Sequence, residues 1–294
     1  MKRHALAAAV FVTLLFLRSQ AQATFHVIVI DEVFFGFAQA PEAQYVVLRM
    51  EAPLQTLVHG QPLPTFDASG GEGSPFATFC TGSGTSCDLP AVSPACAAGG
   101  CPSSFNANGR RVLIATPRAQ ELFCITPDLL ASGTLPHPDG RVCWGECAGH
   151  PDCPPGPVDC VAYGSFTGNN GIFGTPAMTP ALGDALVGSP DRQNQFAGGN
   201  LLDNAVGFSV QTATPLLPTP QNFHADVGGA GLAGDPQGTG VLGRDEIDAE
   251  VPLLFAAEQR CDLPAANRGA DANLDTRLSA ADVVATIQIV AAAQ

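Results

Sequence analysis

Phe25-His26-Val27-Ile28-Val29-Ile30-Asp31-Glu32-Val33 is the stretch on which the fold class turns. Its β-branched residues are stiff at χ1 and crowd a helical turn, whereas they pack well on a pleated surface, so the segment reads as a buried strand. Outward from it, Gln44-Tyr45-Val46-Val47-Leu48-Arg49-Met50 reads as a second strand. Pro62 and Pro64 break the chain before a strand near Phe66, Ser74 to Phe79 is extended, and Arg111 to Thr116 restores a strand. Residues 117–131 have room for one short helix, Cys160-Val161-Ala162-Tyr163-Gly164 is a further strand, and 165–225 reads as turn-rich. Two stretches, 80–108 and 143–160, are Cys-, Gly- and Pro-rich insertions without hydrophobic periodicity. With 32 Gly, 25 Pro and only 14% charged residues in 294, long charged helices are excluded. Short strands punctuated by turns at this spacing predict a mainly-β sandwich with Cys-rich loop insertions.

Met1-Lys2-Arg3-His4 is basic, Ala5 to Leu17 is apolar, and Ala21-Gln22-Ala23 has the small-residue form of a cleavage site. Residues 1–23 therefore read as a secretory signal peptide, and the apolar run falls short of the roughly 20 residues a membrane span needs. The expected location is secreted, extracellular or periplasmic, with no membrane span. The formal net charge is −14, and Lys2, inside the leader, is the only lysine. That balance argues against a nucleic-acid partner, because phosphate binding rests on Lys and Arg, and it favours cations as guests. Nine of the ten cysteines lie between residues 80 and 160, and the tenth is Cys261. In an oxidising compartment the default is disulfides, with the pairing left open. The alternative is a zinc knuckle of Cys143, Cys147, His150, Cys153 and Cys160, whose spacings do not match the paired C-x2-C framework.

The order of segments resembles the lamin-tail-like domain of secreted bacterial proteins. The pieces that carry the likeness are Val27-Ile28-Val29-Ile30-Asp31-Glu32-Val33, Gln44-Tyr45-Val46-Val47-Leu48, Asp159 to Gly168, Gly188-Ser189-Pro190-Asp191-Arg192 and Pro218-Thr219-Pro220-Gln221-Asn222. The resemblance covers residues 24–225. It implies an immunoglobulin-like β-sandwich acting as a binding or adhesion module, with no shared catalytic residues.

A Gly-rich stretch, residues 226–234, reads as a linker, and the character of the chain changes after it. Asp271-Ala272-Asn273-Leu274-Asp275-Thr276-Arg277-Leu278-Ser279-Ala280-Ala281-Asp282 fits a twelve-residue calcium loop. Calcium takes six to eight oxygens, which a tight loop supplies from alternate positions. Asp271, Asn273 and Asp275 stand at positions 1, 3 and 5, Arg277 offers its carbonyl at 7, Ser279 stands at 9, and Asp282 closes at 12. Ser279 with Asp282 also forms an S-x-x-D capping box for a helix whose apolar face would carry Val283, Val284, Ile287 and Val290. Position 6 is Thr276, where Gly normally makes the sharp turn. Thirty-six residues earlier, Asp235, Gln237, Thr239, Val241 (through its carbonyl) and Glu246 occupy positions 1, 3, 5, 7 and 12 of a second such loop, with Gly240 at position 6. This loop has the turn and the closing acid but weaker middle ligands. Leu242 and Leu278, both at position 8, lead one to expect that the two loops pack through a short strand contact.

Both loops resemble those of EF-hand relatives, and the Asp271 loop closely resembles dockerin type I repeats. Each lacks an evident entering helix. Residues 235–294 are thus identified as a small α-helical, dockerin-like calcium module, Ca2+ being its cofactor. The resemblance implies docking onto a cohesin-like receptor, with Ala280 and Ala281 at recognition positions. An extracellular glycan is the other expected partner, since dockerins often accompany polysaccharide hydrolases. A secreted hydrolase or its accessory subunit is therefore the alternative function. Against catalysis, the chain has no G-x-S-x-G and no H-E-x-x-H. Asp31 with Glu32, or Asp67 with Glu72, are the carboxylates a glycosidase reading would nominate.

Overall fold

A computed structural model describes residues 25–80, 89, 93–96, 108–146, 156–212 and 218–293. The β-branched run forms β1 (Ile28–Phe34), which pairs antiparallel with β2 (Tyr45–Met50) on one side and β10 (Ala185–Gly188) on the other. β11 (Phe208–Gln211) lies outside β10, while β6 (Arg111–Ala115) and β7 (Leu129–Leu130) lie outside β2. The six-stranded order is β11-β10-β1-β2-β6-β7. A second sheet joins β4 (Thr65–Phe66), β8 (Gly140–Glu146) and β9 (Pro157–Tyr163), and β3 (Pro62–Leu63) pairs with β5 (Ala77–Thr78). The described helices are few: α1 (Pro117–Phe123), α2 (Asn204–Gly207), α3 (Arg244–Leu253) and α4 (Ala280–Ala293), with short 3₁₀ turns between. The described residues are mainly β, in several sheets, and no barrel closes among them. No helix among the described residues is long and apolar enough to cross a membrane.

Strand alternation sends side chains to two separate cores. Val46, Leu48 and Met50 of β2 and Val112 and Ile114 of β6 meet Val142 and Trp144 of β8 and Val161 and Tyr163 of β9 in the core between the two main sheets. Tyr45, Val47, Leu113 and Ala115 point the other way, into a core closed by Ala119, Leu122 and Phe123 of α1 and by Ala230 and Leu274 from the C-terminal region. β1 serves both cores as well, and a bulge at Asp31 shifts its register between Ile30 and Glu32, so that Ile28, Ile30 and then Val33 share the core between the sheets while Phe34 enters the other. Behind the bulge, Asp159 of β9 accepts from the Ile30 N–H at 2.8 Å and from both terminal nitrogens of Arg192, in an ion pair fully removed from solvent. Arg192 also lies 4.6 Å from the centre of the Phe208 ring.

The helix expected within 117–131 is α1, started by the Thr116 hydroxyl accepting from the Ala119 N–H at 3.2 Å and stopped at Cys124 (φ 51°). Three strands depart from expectation. β8 occupies the start of a stretch read as insertion, because Gly140, Arg141 and Gly145 interrupt the apolar pattern while cross-strand pairing with β9 supplies the stability. β10 and β11, four residues each, fall in the turn-rich stretch and are held through β1. Cys143 sits opposite Cys160 in the β8–β9 ladder and is bonded to it, which withdraws two sulfurs from the zinc alternative. Cys147, His150 and Cys153, like the residues 1–23 expected to be a signal peptide, lie outside the described residues. A second disulfide joins Cys124 to Cys261, and Cys80 and Cys96 are disulfide-bonded as well.

Candidate metal centre

The two twelve-residue loops carry the same hydrogen-bond scheme, displaced by 36 positions. In the first, Asp235 Oδ1 accepts from the Thr239 N–H at 3.0 Å and Oδ2 from the Gly240 N–H at 2.7 Å. In the second, Asp271 Oδ1 accepts from the Asp275 N–H at 3.0 Å and Oδ2 from the Thr276 N–H at 3.1 Å. The closing acid of each loop reaches back to position 3: Glu246 accepts from the Gln237 N–H at 3.4 Å and Asp282 from the Asn273 N–H at 3.3 Å. Positions 4 and 6 have left-handed backbone in both, at Gly238 (66°) and Gly240 (77°), then Leu274 (58°) and Thr276 (74°). Each loop thus folds around its first and last carboxylates, and all four acids are buried.

The remaining donors stand nearer solvent. Asn273 Oδ1 accepts from the Asp275 N–H at 2.9 Å, and the exposed Asp275 accepts from the Arg277 N–H at 2.8 Å. Ser279 caps α4 as its sequence implies, donating its N–H to Asp282 at 2.8 Å and accepting from the Ala281 N–H at 3.2 Å. In the first loop the Val241 N–H donates to Thr239 Oγ1 at 3.2 Å, and both residues are exposed. Among the described residues no three His, Cys, Asp or Glu side chains gather into a metal-holding group. Two carboxylates meet in each loop, and the other oxygens on offer come from amides, hydroxyls and carbonyls, the hard donors that calcium takes.

The loops differ in counter-charge. The Arg260 guanidinium, fully buried, lies 2.9 Å from Asp271 Oδ2. It also donates through Nε to the Leu122 carbonyl at 2.9 Å and through Nη2 to the Ala230 carbonyl. No ion pair reaches Asp235 or Glu246 among the described residues, and the counterpart of Arg260 by the 36-residue shift, His224, pairs with Asp226 instead. Burial raises the carboxyl pKa of Glu246, with Asp235 and Asp245 adding to the effect. Burial also raises Asp271, against the pull of Arg260, and Asp282. Beside them, Glu250 faces Thr286 across the α3–α4 interface, yet its oxygens and the Thr286 hydroxyl make no hydrogen bond of good geometry. Burial pushes Glu250 up to about 7.

Two expectations about the module need correction. α4 buries Asp282, Thr286 and Val290, whereas Val284 and Ile287 are exposed, because the contact with α3 runs through the polar Glu250–Thr286 stripe. The loops do not pair through position 8 either. Arg277 bridges to Gln259, and Leu278 packs with Leu263 and Ala270. The contacts run instead through the segment before the second loop, where Asn267 donates to the Pro236 carbonyl at 2.7 Å and the Gly269 carbonyl accepts from the Gly234 N–H at 2.9 Å. The stretch 226–234 is packed, with Ala230 in the second core and the Gly229 N–H bonded to the Phe123 carbonyl at 3.1 Å.

Three of the four carboxylates nominated for hydrolysis, all but Glu72, are held by neighbouring groups. Asp31 pairs with Arg49 and Arg111, each at 2.8 Å, and Glu32 is half-buried and accepts from the Tyr45 hydroxyl. Asp67 caps its own turn through the Ser69 and Gly71 N–H groups. No protein-family model matches the chain, and neither the curated proteins nor the solved structures contain a significant match to it.

Proposed function

We propose that this is an exported calcium-binding protein that acts in adhesion or scaffolding, with an immunoglobulin-like β-sandwich as its body and a dockerin-like C-terminal module as its calcium-dependent docking part. The observation that carries the calcium reading is the repeated loop. Two segments of different sequence take the same left-handed turns and the same carboxylate-to-amide bonds, each burying two acids at positions 1 and 12. Two like charges brought together away from water repel unless one takes up a proton or a cation stands between them, and the oxygen-only donor set selects a hard cation. Asp235, Gln237, Thr239, the Val241 carbonyl and Glu246 are the donors of the first loop. Asp271, Asn273, Asp275, the Arg277 carbonyl, Ser279 and Asp282 are those of the second. When bound, the ion neutralises the closing acids and fixes the start of the helix that follows. Export agrees with the disulfides, which persist in oxidising compartments.

The test is thermal unfolding of the chelated full chain with and without calcium at about 10 mM, well above the roughly 10⁻⁴–10⁻³ M range of extracellular sites. Stabilisation by about 1.5–3 kcal/mol is expected from binding to the folded state alone. Coincident curves in calcium and chelator would reject the calcium reading.

A further inference from the structure

We propose that the two loops divide the work: Arg260 is the resident cation of the second loop, which it locks to the body without metal, and the first loop is the calcium site. The inference rests on the calcium reading above and goes beyond it by assigning the ion to the loop that looks poorer in sequence. Charge decides the assignment. Asp235 and Glu246 are buried side by side with no basic partner, so a divalent ion meets uncompensated negative charge there. At the second loop the first carboxylate is already neutralised by a guanidinium that a metal would have to displace.

That guanidinium is placed as part of the body as much as of the loop. Its Nη1 bonds to Asp271 Oδ2, its Nε to the last turn of α1 at the Leu122 carbonyl, and its Nη2 to the Ala230 carbonyl. The Arg260 N–H donates to the Thr276 carbonyl at 3.0 Å, Leu278 donates back to the Glu258 carbonyl at 3.1 Å, and the next residue, Cys261, is bonded to Cys124 at the end of α1. Arg118 of α1 reaches the same loop at the Leu274 carbonyl, and the Leu274 side chain enters the core under α1. The body meets Asp271 with a donor and the loop with apolar packing, so the first carboxylate is neutralised and the loop is held in place before any ion arrives. Displacing a buried guanidinium would strand its charge, which costs more than the ion pair itself contributes.

The experiment uses the full chain and Ca2+ alone as probe. Titration calorimetry on chelator-treated protein should give one calcium per chain, lost in Asp235→Asn, and two in Arg260→Gln, where the second loop is released to take metal. Two ions in the wild-type chain, or retention of the single ion in Asp235→Asn, would overturn the assignment; no uptake by any chain would overturn the calcium reading with it. Native-state hydrogen exchange decides the role of Arg260 independently of metal. In chelator the Asp275 and Thr276 amides should stay protected while those of Thr239 and Gly240 do not, and Arg260→Gln should cut protection at Asp275 and Thr276 by about 100-fold or more. Loss of that protection in the chelated wild-type chain would refute the lock.

Discussion

At loop position 4 the first loop has Gly238 and the second Leu274; at position 6 they have Gly240 and Thr276. All four adopt positive φ. Glycine does so at no steric cost, whereas a side chain there costs about 1–2 kcal/mol, and Thr276 is β-branched besides. The second loop bears that strain because it is braced from outside. Leu274 is buried in the core that holds Phe123 and Tyr45, a gain of about 1.5–3 kcal/mol that offsets its own backbone cost. Arg260, Arg118 and the Cys124–Cys261 disulfide add to it. The first loop has the relaxed backbone and none of these braces. One loop shape is therefore reached in two ways, by glycines with a cation in prospect and by tertiary contacts in hand.

The comparison breaks most severely if the braces go. Replacing Cys124 and Cys261 by alanine opens a closure of 137 residues, worth about 5 kcal/mol in the chain-entropy account. Denaturant unfolding of this double variant should show the C-terminal region melting ahead of the body, whereas a single unshifted transition would mean that the disulfide braces nothing. Leu274→Ala comes next. It removes a buried side chain while keeping the left-handed strain, so a loss of about 2–5 kcal/mol is expected. Exchange should quicken at Asp275 and Thr276 and remain unchanged at Thr239 and Gly240; equal acceleration in both loops would argue that they form one cooperative unit.

What could be read from sequence follows how local the determinants are. β1, β2 and β6 announce themselves through β-branched runs, and the loops through acids at fixed spacing, because neighbours along the chain decide both. Arg260 was invisible for the opposite reason. It lies eleven residues before Asp271, in no motif, and its partners Leu122 and Ala230 are 138 and 30 residues away. Its one signal was the adjacent Cys261, which had to be tied somewhere. The Asp159–Arg192 pair and strand β8 escaped in the same way, since each depends on a strand paired across the fold. The apolar face assigned to α4 went wrong because its neighbour, α3, presents Glu250, not a hydrophobic stripe.

A smaller effect separates the loops by pH. Glu32 lies on the face of the main sheet that the second loop covers, and it accepts from Tyr45, which packs on Phe123. Burial pushes its carboxyl up to about 7 from an unfolded value of 4.5, the Tyr45 bond only partly opposing. The folded state therefore holds a proton that the unfolded state has released, and stability falls as pH rises from 4.5 to about 7, by up to about 3 kcal/mol. Glu32→Gln keeps an acceptor for Tyr45 and should remove up to about 3 kcal/mol of the fall, raising stability at pH 8, while the share of Glu250, also pushed up to about 7, remains. Exchange at Thr276 should feel the change and exchange at Gly240 should not. A stability profile for Glu32→Gln that falls between pH 5 and 7 as steeply as that of the wild-type chain would assign the slope to other acids.

The smallest effect addresses the strain itself. At Thr276→Gly the left-handed turn no longer opposes a β-carbon, while the N–H bond to Asp271 survives because it belongs to the backbone. Glycine also widens the unfolded ensemble, so the net gain should be about 1 kcal/mol or less. The mirror change, Gly240→Thr, puts the same strain into a loop with no Arg260 or Leu274 to absorb it, and it should cost more than Thr276→Gly returns. Chemical denaturation of the two variants in chelator measures both. If the two changes prove equal and opposite, position 6 is governed by its own backbone alone, and the braces around the second loop do nothing to hold Thr276 in place.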